Sequence, residues 1–464
     1  MRRTRAVPLS LTLLAAVTLT GCVTSVRPLA DDFSDEPPDE ALSHTLDRLE
    51  DVYAFGDWKA IDWSEARQRL GDAMDAADTQ AGQDQVFRAL VELLPDGHVD
   101  LWNDDPSRDL CPEASGGLGV TFSDTDDAGV IVVTAAGNPG ADISADIDPG
   151  DTLIAVNGVL VEDALEATPL RCYPIGLAAW DRRRFARLHL LARAEVGAEV
   201  TLTLGRSGET WEVTLTAVDD LGTPEDSQPM RRLLGIASPE VRVDARMLGG
   251  SDVGYITLGW EETILSERQV RRAIEQLWED GARRLVLDIR DNDGGTDQTA
   301  ANIAGIFTDE TWFYETITMY DRRTEAQAVI SEVMVTPQAI FWDLPVAVLI
   351  NGNTVSSGDG MAMMFERFAA ADPDIHLVGF EGTAASFGSS GSTIALPGGW
   401  TLTWPAGRSL DREGRIQLDS DHTLEGGVQP THRVPWTAEH RIAHAAAPDD
   451  FLIDYAVEHA LGGL

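Results

Sequence analysis

Two loops and one turn of this 464-residue chain carry side chains suited to nucleophilic acyl transfer. The first loop follows the apolar run Val346 to Ile350 and reads Asn351-Gly352-Asn353-Thr354-Val355-Ser356-Ser357-Gly358-Asp359, a serine pair at the start of a helix. A hydroxyl there lies near the positive end of the helix dipole, and the backbone N–H after it can face a developing oxyanion. Serine is also a common helix N-cap, so residue type alone leaves both roles open. The second loop follows Leu285 to Ile289 and reads Arg290-Asp291-Asn292-Asp293-Gly294-Gly295, whose glycines let the backbone approach a substrate closely. The turn is Pro95-Asp96-Gly97-His98. Its Pro and Gly stop a helix and leave on a loop a histidine whose ordinary pKa suits general-base work.

The elements that must position these residues are legible as periodicity. Leu42, Leu46, Leu49 and Tyr53, then Trp63, Leu70 and Met74, then Phe87, Leu90, Val91 and Leu94 recur at helical spacing, which predicts a small helical region. From Gly116 short strand-like runs take over: Leu118 to Phe122, Val130 to Thr134, and Thr152 to Val156 with the turn Asn157-Gly158. Val200, Leu202 and Leu204 alternate with polar residues up to Ser207-Gly208, and Trp211, Val213 and Leu215 alternate after it, a hairpin with one buried face. An Arg- and Leu-rich helical insertion is expected from Arg182 to Arg193, and a Pro-containing linker over 219–239. Beyond it strands and helices alternate, including a helix capped by Ser266, as in a layered α/β domain. In such sheets ligands gather where strands end and helices begin. Trp400 and Trp404 suit a strand face.

Composition limits the function. Thirty-five Lys and Arg against 77 Asp and Glu give a net charge of −42, a field that repels polyanions, so no nucleic-acid partner is expected. With 43% hydrophobic and 24% charged residues the chain is an ordinary folded protein. No glycine loop with Lys-Ser/Thr opens a helix, so nucleotide hydrolysis is unsupported. The three cysteines have no Cys or His at ligand spacing, and neither a metal nor a cofactor is expected.

Arg2, Arg3 and Arg5, an apolar run from Leu9 to Leu19, and Leu19-Thr20-Gly21-Cys22 read as a secretory signal. Its end resembles the lipobox of bacterial lipoproteins. That implies a signal peptide over 1–21, acylation of Cys22, a membrane lipid anchor, a tether over 22–39 and an extracytoplasmic place in the bacterial cell envelope. Val23 after the cysteine points to the outer membrane, and an ordinary signal with an incidental cysteine is the alternative. No later stretch approaches the apolar length of a spanning helix. In an oxidising compartment Cys111 and Cys172, 61 residues apart, either pair or stay as buried thiols.

Gly117-Leu118-Gly119-Val120, with Asp148-Pro149-Gly150-Asp151 and Leu153-Ile154-Ala155-Val156-Asn157-Gly158, resembles a PDZ domain. The resemblance implies that amides of Gly117, Leu118, Gly119 and Val120 capture a peptide's terminal carboxylate; a small β-barrel without a ligand is the alternative. Strand-Asp-x-Arg-x-Asn-x-Gly-Gly, then Asn-Thr-x-Ser-Ser-Gly-Asp, with Leu377-Val378-Gly379 downstream, looks like peptidase family S41, which includes the C-terminal processing peptidases and the tricorn protease. The resemblance covers nearly all of the mature chain. It implies a multidomain α+β protein with a tricorn-like helical domain over 40–110, a PDZ-like β domain over 111–218, and an α/β peptidase core of the ClpP/crotonase-like kind over 240–464.

Carried across, the resemblance makes Ser356 the nucleophile, with Ser357 as the neighbouring candidate. It makes the amide of Ser357 and one from Gly294 or Gly295 the oxyanion hole. Processing peptidases take their base from a lysine in a Phe-Gly-Lys-Gly loop. The corresponding stretch Ser386-Phe387-Gly388-Ser389-Ser390-Gly391 has none, which argues against a Ser-Lys dyad unless a distant lysine folds in. The tricorn branch takes a histidine at the end of the helical region, which matches His98, although the serine that precedes it in tricorn is Gly97 here. Glu425, in Leu424-Glu425-Gly426-Gly427-Val428-Gln429-Pro430, is expected to orient the imidazole, with Asp96 or a backbone carbonyl as alternatives. The expected activity is hydrolysis of peptide bonds in peptide or protein substrates. A peptide-binding envelope lipoprotein that has lost catalysis is the alternative, and an esterase lacks its Gly-x-Ser-x-Gly elbow around Ser356.

Overall fold

The computed structural model describes residues 2–3, 29–103, 105, 111–135, 147–173, 177–219, 243–261, 263–389, 391–447 and 451–463. Cys22, nearly all of the expected signal, and the linker beyond Asp219 lie outside the described residues. No described helix is long and apolar enough to cross a membrane.

The central sheet has six strands in the order Val243–Met247, Val253–Leu258, Arg284–Asp288, Val346–Leu349, Ile375–Gly379 and His432–Arg433. The first pair is antiparallel and the rest are parallel. The two middle strands read as continuous apolar runs because both faces are covered. Leu285, Leu287, Val346 and Val348 pack with the helices Ile264–Glu279, Asp297–Ala304 and Ser357–Ala369, while Val286, Ala347 and Leu349 pack with the helix Phe451–His459. Thr263, not Ser266, caps the first of these helices, its hydroxyl accepting from the Leu265 amide at 3.2 Å. A hairpin of Trp312–Asp321 and Ala326–Val335, joined by Gly407–Leu410, has no counterpart in the sequence reading. Ala326–Val335 buries only two of its ten residues, so the alternation that marks a half-buried strand is weak there.

The helices Pro38–Val52, Trp63–Asp75 and Gln80–Leu93 bury Leu42, Leu46, Leu49, Leu70, Met74, Phe87 and Leu90, as their spacing predicts. They do not form a core alone. A four-stranded sheet of Ala30–Asp32, Ser392–Leu396, Trp400–Trp404 and Asp100–Asn103 closes the cluster, contributing Ile394, Leu396, Trp400, Leu402 and Trp404. Two expected boundaries are corrected: the tether assigned to 22–39 contains the strand Ala30–Asp32 and the start of the helix Pro38–Val52, and the core assigned to 240–464 lends residues 392–404 to the N-terminal unit. This exchange ties the strand after His98 to the chain that follows Ser356.

Thr121–Ser123, Ile131–Thr134, Thr152–Val156, Glu199–Arg206 and Glu209–Thr216 form a separate sheet with its own core of Leu118, Phe122, Val132, Leu153, Leu202 and Leu204. Both of its two-residue turns, Asn157-Gly158 and Ser207-Gly208, have positive φ at each residue, the backbone that tight hairpins require. The helix Trp180–Leu191 packs against it.

Cys111 and Cys172 form a disulfide, Cα–Cα 5.4 Å, within a cluster that includes Leu170, Tyr173 and Leu190. It closes 61 residues of chain. Replacing both cysteines by serine is expected to lower unfolding free energy by about 4 kcal/mol, read by denaturant titration, through the larger entropy of the open unfolded chain.

Candidate active site

Ser356 ends the turn after the fourth strand of the central sheet and immediately precedes the helix Ser357–Ala369. Its backbone has φ 60° and ψ −128°, a conformation that L-residues rarely adopt, and its side chain makes no cap hydrogen bond. The common N-cap explanation for a serine there therefore fails, and the hydroxyl is free of the helix it precedes. The strain is held by the Ser356 amide, which donates to the Ser386 carbonyl at 2.9 Å, and by the Gly360 amide, which donates to the Ser356 carbonyl at 3.1 Å.

The Gly294-Gly295 loop leaves the neighbouring parallel strand, which brings it beside this turn. A Cβ on Gly294 would lie 2.6 Å from Ser356 Cβ and 2.8 Å from the Val355 carbonyl oxygen, at φ +85°. Gly294→Ala is therefore expected to displace the serine and lower turnover at least about 100-fold, measured as kcat/KM, the loss that an ångström of misplacement brings. The Gly294 amide is already spent, donating to Asn292 Oδ1 at 2.8 Å. Among the described residues the amides of Gly295 and Ser357 have no acceptor. The expected pair is thus corrected: Gly294 makes room, while Gly295 and Ser357 are the donors free to hold an oxyanion.

His98 reaches the site from the far end of the sequence. Gly97 donates to Ser386 Oγ at 2.7 Å, and a Cβ on it would meet Ser386 Oγ at 3.1 Å and Val355 Cγ2 at 3.3 Å. Ser386 accordingly occupies the space that a serine before His98 would need. It holds three elements at once, since its carbonyl accepts from Ser356 and its amide donates to Asp359 Oδ2 at 3.1 Å. Sequence reasoning named Ser386 only as the first residue of a stretch that lacks a lysine. Past His98, Asp100–Asn103 pairs with Trp400–Trp404, and this register fixes the turn.

The imidazole is buried, with Nδ1 3.4 Å from Asp96 Oδ1, and Asp96 is fully buried. The separation is that of an ion pair, longer than an aligned hydrogen bond, and neither ring nitrogen has another partner among the described residues. Asp96 Oδ1 also accepts from the His98 amide at 2.9 Å, and Oδ2 from the Tyr53 hydroxyl at 3.3 Å. Burial pulls the His98 pKa down, but the Asp96 carboxylate, with Asp419 and Asp359 beyond it, outweighs burial and holds it above its ordinary value. Burial pushes Asp96 up, and His98 together with the Lys59 charge outweighs that and holds it below the ordinary carboxylate range. Burial raises Asp359 to about 7 and Asp419 to about 8, the latter helped by Asp96.

Glu425 does not join this group. It is exposed, its carbonyl accepts from the Asp421 amide at 3.1 Å, and the carboxyls acting on His98 are Asp96, Asp419 and Asp359. The partner of His98 is thus a side chain two residues before it. In the loop Gly117-Leu118-Gly119-Val120, expected to capture a carboxylate, two of the four amides are spent within the fold. All four residues are buried, the Gly117 amide donates to the Val218 carbonyl and the Leu118 amide to the Ala192 carbonyl, each at 2.9 Å.

Residues 252–434 match the model of peptidase family S41. That segment, about two fifths of the chain, is similar to the S41 serine peptidases. The chain is 22% identical over 271 residues to a probable CtpA-like serine protease of Staphylococcus saprophyticus, covering 58% of this chain and 46% of that one. It is 25% identical over 288 residues to a carboxyl-terminal-processing protease of Picosynechococcus, covering 60% and 59%. The chain spans about half the length of these relatives. Its fold is similar to crystalline mature CPAF, with a TM-score of 0.64, 16% identity and coverage of 90% of this chain and 96% of that one. A putative peptidase from Parabacteroides merdae aligns with a TM-score of 0.50 at 15% identity, covering 92% and 97%. Both loops of the site lie within the matched residues, while His98 comes from outside them.

Proposed function

We propose that the protein is a serine endopeptidase whose nucleophile is Ser356 and whose general base is His98. The observation that carries this reading is the docking of the Gly97-His98 turn on Ser386 and Val355, the residues that hold and precede Ser356. Ser356 Oγ attacks the scissile carbonyl carbon as the imidazole takes its proton. The oxyanion accepts from the Gly295 and Ser357 amides, and His98 returns the proton to the leaving amine. Asp96 stabilises the imidazolium that forms between these steps. Water then releases the acyl group by the same route.

The substrates are peptides or proteins. An extracytoplasmic, lipid-anchored protein is supported by the lipobox-like Leu19-Thr20-Gly21-Cys22 and by the Cys111–Cys172 disulfide, a bond that persists in oxidising compartments. A PDZ-like role for residues 111–218 is supported by the two tight hairpin turns and by the helix beside the sheet. A binding protein without catalysis is less well supported, because such a protein has no need of a strained serine whose preceding residue packs on the turn of a buried histidine. The test is labelling of the mature chain with a fluorophosphonate probe. Labelling of the wild type that is lost in both Ser356→Ala and His98→Ala supports the pair, and a folded wild type that never labels, with or without added peptide, overturns it.

A further inference from the structure

Lys59 is the single lysine of the chain; every other member of its 35 Lys and Arg is arginine. It is buried, and its Nζ donates to the carbonyl and to the hydroxyl of Ser420, both at 2.9 Å. An ammonium has three N–H groups, so one is left over. The Phe55 ring, its centroid 5.5 Å from Nζ, walls the ammonium in, and Phe55 in turn abuts Gly388 of the Ser386 loop.

The charges that face it belong to the site. Its anchor Ser420 follows Asp419, whose carbonyl accepts from Trp58 Nε1 at 3.0 Å. Tyr53, whose ring centroid is 5.9 Å from that of Phe55, donates to Asp96 Oδ2 at 3.3 Å. The fields of Asp96, Asp419 and Asp421 thus all act on the ammonium. Asp96 is fully buried and Asp419 is 3% exposed. Asp419 Oδ1 accepts from the Phe387 and Gly388 amides at 3.0 and 3.2 Å, while Oδ2 has no partner among the described residues. Around His98 the titratable groups are Asp96 on its own turn, Tyr53 from the first helix's end, Asp359 from the helix after Ser356, Asp419 from the C-terminal segment, and Asp297 beside the glycine loop. A charged Asp96 beside a neutral imidazole is a buried charge, costly unless a nearby cation offsets it.

We propose that Lys59 is a positioning residue for His98: its ammonium, anchored on Ser420, keeps Asp96 charged while His98 is neutral, the form in which the imidazole accepts the serine proton. This rests on the Ser356–His98 reading. Without the ammonium, Asp96 keeps its charge only when His98 is protonated. The pair then holds its proton to higher pH and the base is lost at neutrality. Lys59 donates to Ser420, and no hydrogen bond joins it to Ser356 among the described residues.

The test has two arms on the full mature chain. In the first, the rate of fluorophosphonate labelling is followed against pH. Lys59→Met is expected to move the acid-side midpoint up by about one pH unit, leaving about tenfold less neutral imidazole below it, at a thermal midpoint that shows a folded protein. A loss equal at every pH, with the midpoint unmoved, is what a merely structural lysine gives and overturns the proposal. In the second arm, protein grown on isotope-labelled lysine gives one side-chain NMR signal, because there is one lysine. Its titration is expected to move to lower pH in Asp96→Asn, and a signal that ignores Asp96 overturns the coupling. This arm needs neither activity nor a folded Lys59→Met. A wild type that fails to label therefore removes the peptidase reading while the Lys59–Asp96 coupling is still decided.

Discussion

Alanine at Ser356 is expected to lower peptide hydrolysis by about 10⁵–10⁶-fold, the scale on which loss of a nucleophile acts when base and oxyanion donors are kept. The fold should be unaffected. Ser356 makes no cap bond and its anchoring contacts are backbone ones, from its amide to Ser386 and from Gly360 to its carbonyl, so alanine keeps them. What alanine also keeps is the strain of φ 60°. Ser356→Gly should therefore be equally inactive but more stable than wild type by about 1 kcal/mol, because glycine adopts that conformation without steric cost. Kinetics together with thermal melting reads both. Residual hydrolysis in Ser356→Ala within tenfold of wild type would move the nucleophile elsewhere, and an unchanged melt in Ser356→Gly would mean the turn is not strained.

Asp96→Asn is expected to lower kcat/KM by about 10³–10⁴-fold with little change in structure, since an amide cannot stabilise the imidazolium and sets the wrong tautomer. Asparagine keeps the Oδ1 acceptor for the His98 amide, so the turn survives. The sign of the pH effect follows from the two fields on His98. Burial lowers its pKa and the Asp96 carboxylate raises it, the carboxylate prevailing. With the carboxylate gone, burial acts with less opposition, and the acid limb of the rate profile should move to lower pH, opposite to the shift expected for Lys59→Met. The same pair shapes stability. His98, raised, contributes below its unfolded pKa near 6.5, and the contribution fades as pH rises through its higher folded value. Asp96, lowered, contributes above the unfolded carboxylate range, and that is lost as pH falls through its lower folded value. The ion pair thus stabilises most between the carboxylate range and about pH 6.5, a window that Asp96→Asn should flatten in melts taken across pH.

Much of the architecture was legible before folding. The leucine spacing from Leu42 to Leu94 marks three amphipathic helices, Asn157-Gly158 and Ser207-Gly208 mark two hairpins, and the apolar runs before Arg290 and Asn351 mark central strands. The loop with Ser356 and the loop with Gly294-Gly295 follow from the same reading, because a strand's end and a helix's start are local events. Strand Ala326–Val335 escaped it, since that strand buries only two of its ten residues and carries no burial pattern to read.

By itself, then, the sequence determined the elements, the disulfide-capable cysteines and the loops that hold candidate chemistry, because propensity, periodicity and turn geometry act over a few residues. Only the tertiary structure decided the working details. It set Asp96 rather than Glu425 against His98, spent the Gly294 amide on Asn292 while leaving Gly295 and Ser357 free, and put Ser386 where a serine before His98 would stand. It also carried the chain's one lysine to the carbonyl and hydroxyl of Ser420, the residue that follows Asp419. Hydrogen-bond partners and electric fields are sums over everything within a few ångströms. Here those neighbours come from segments some 300 residues apart, a distance across which no local pattern carries information.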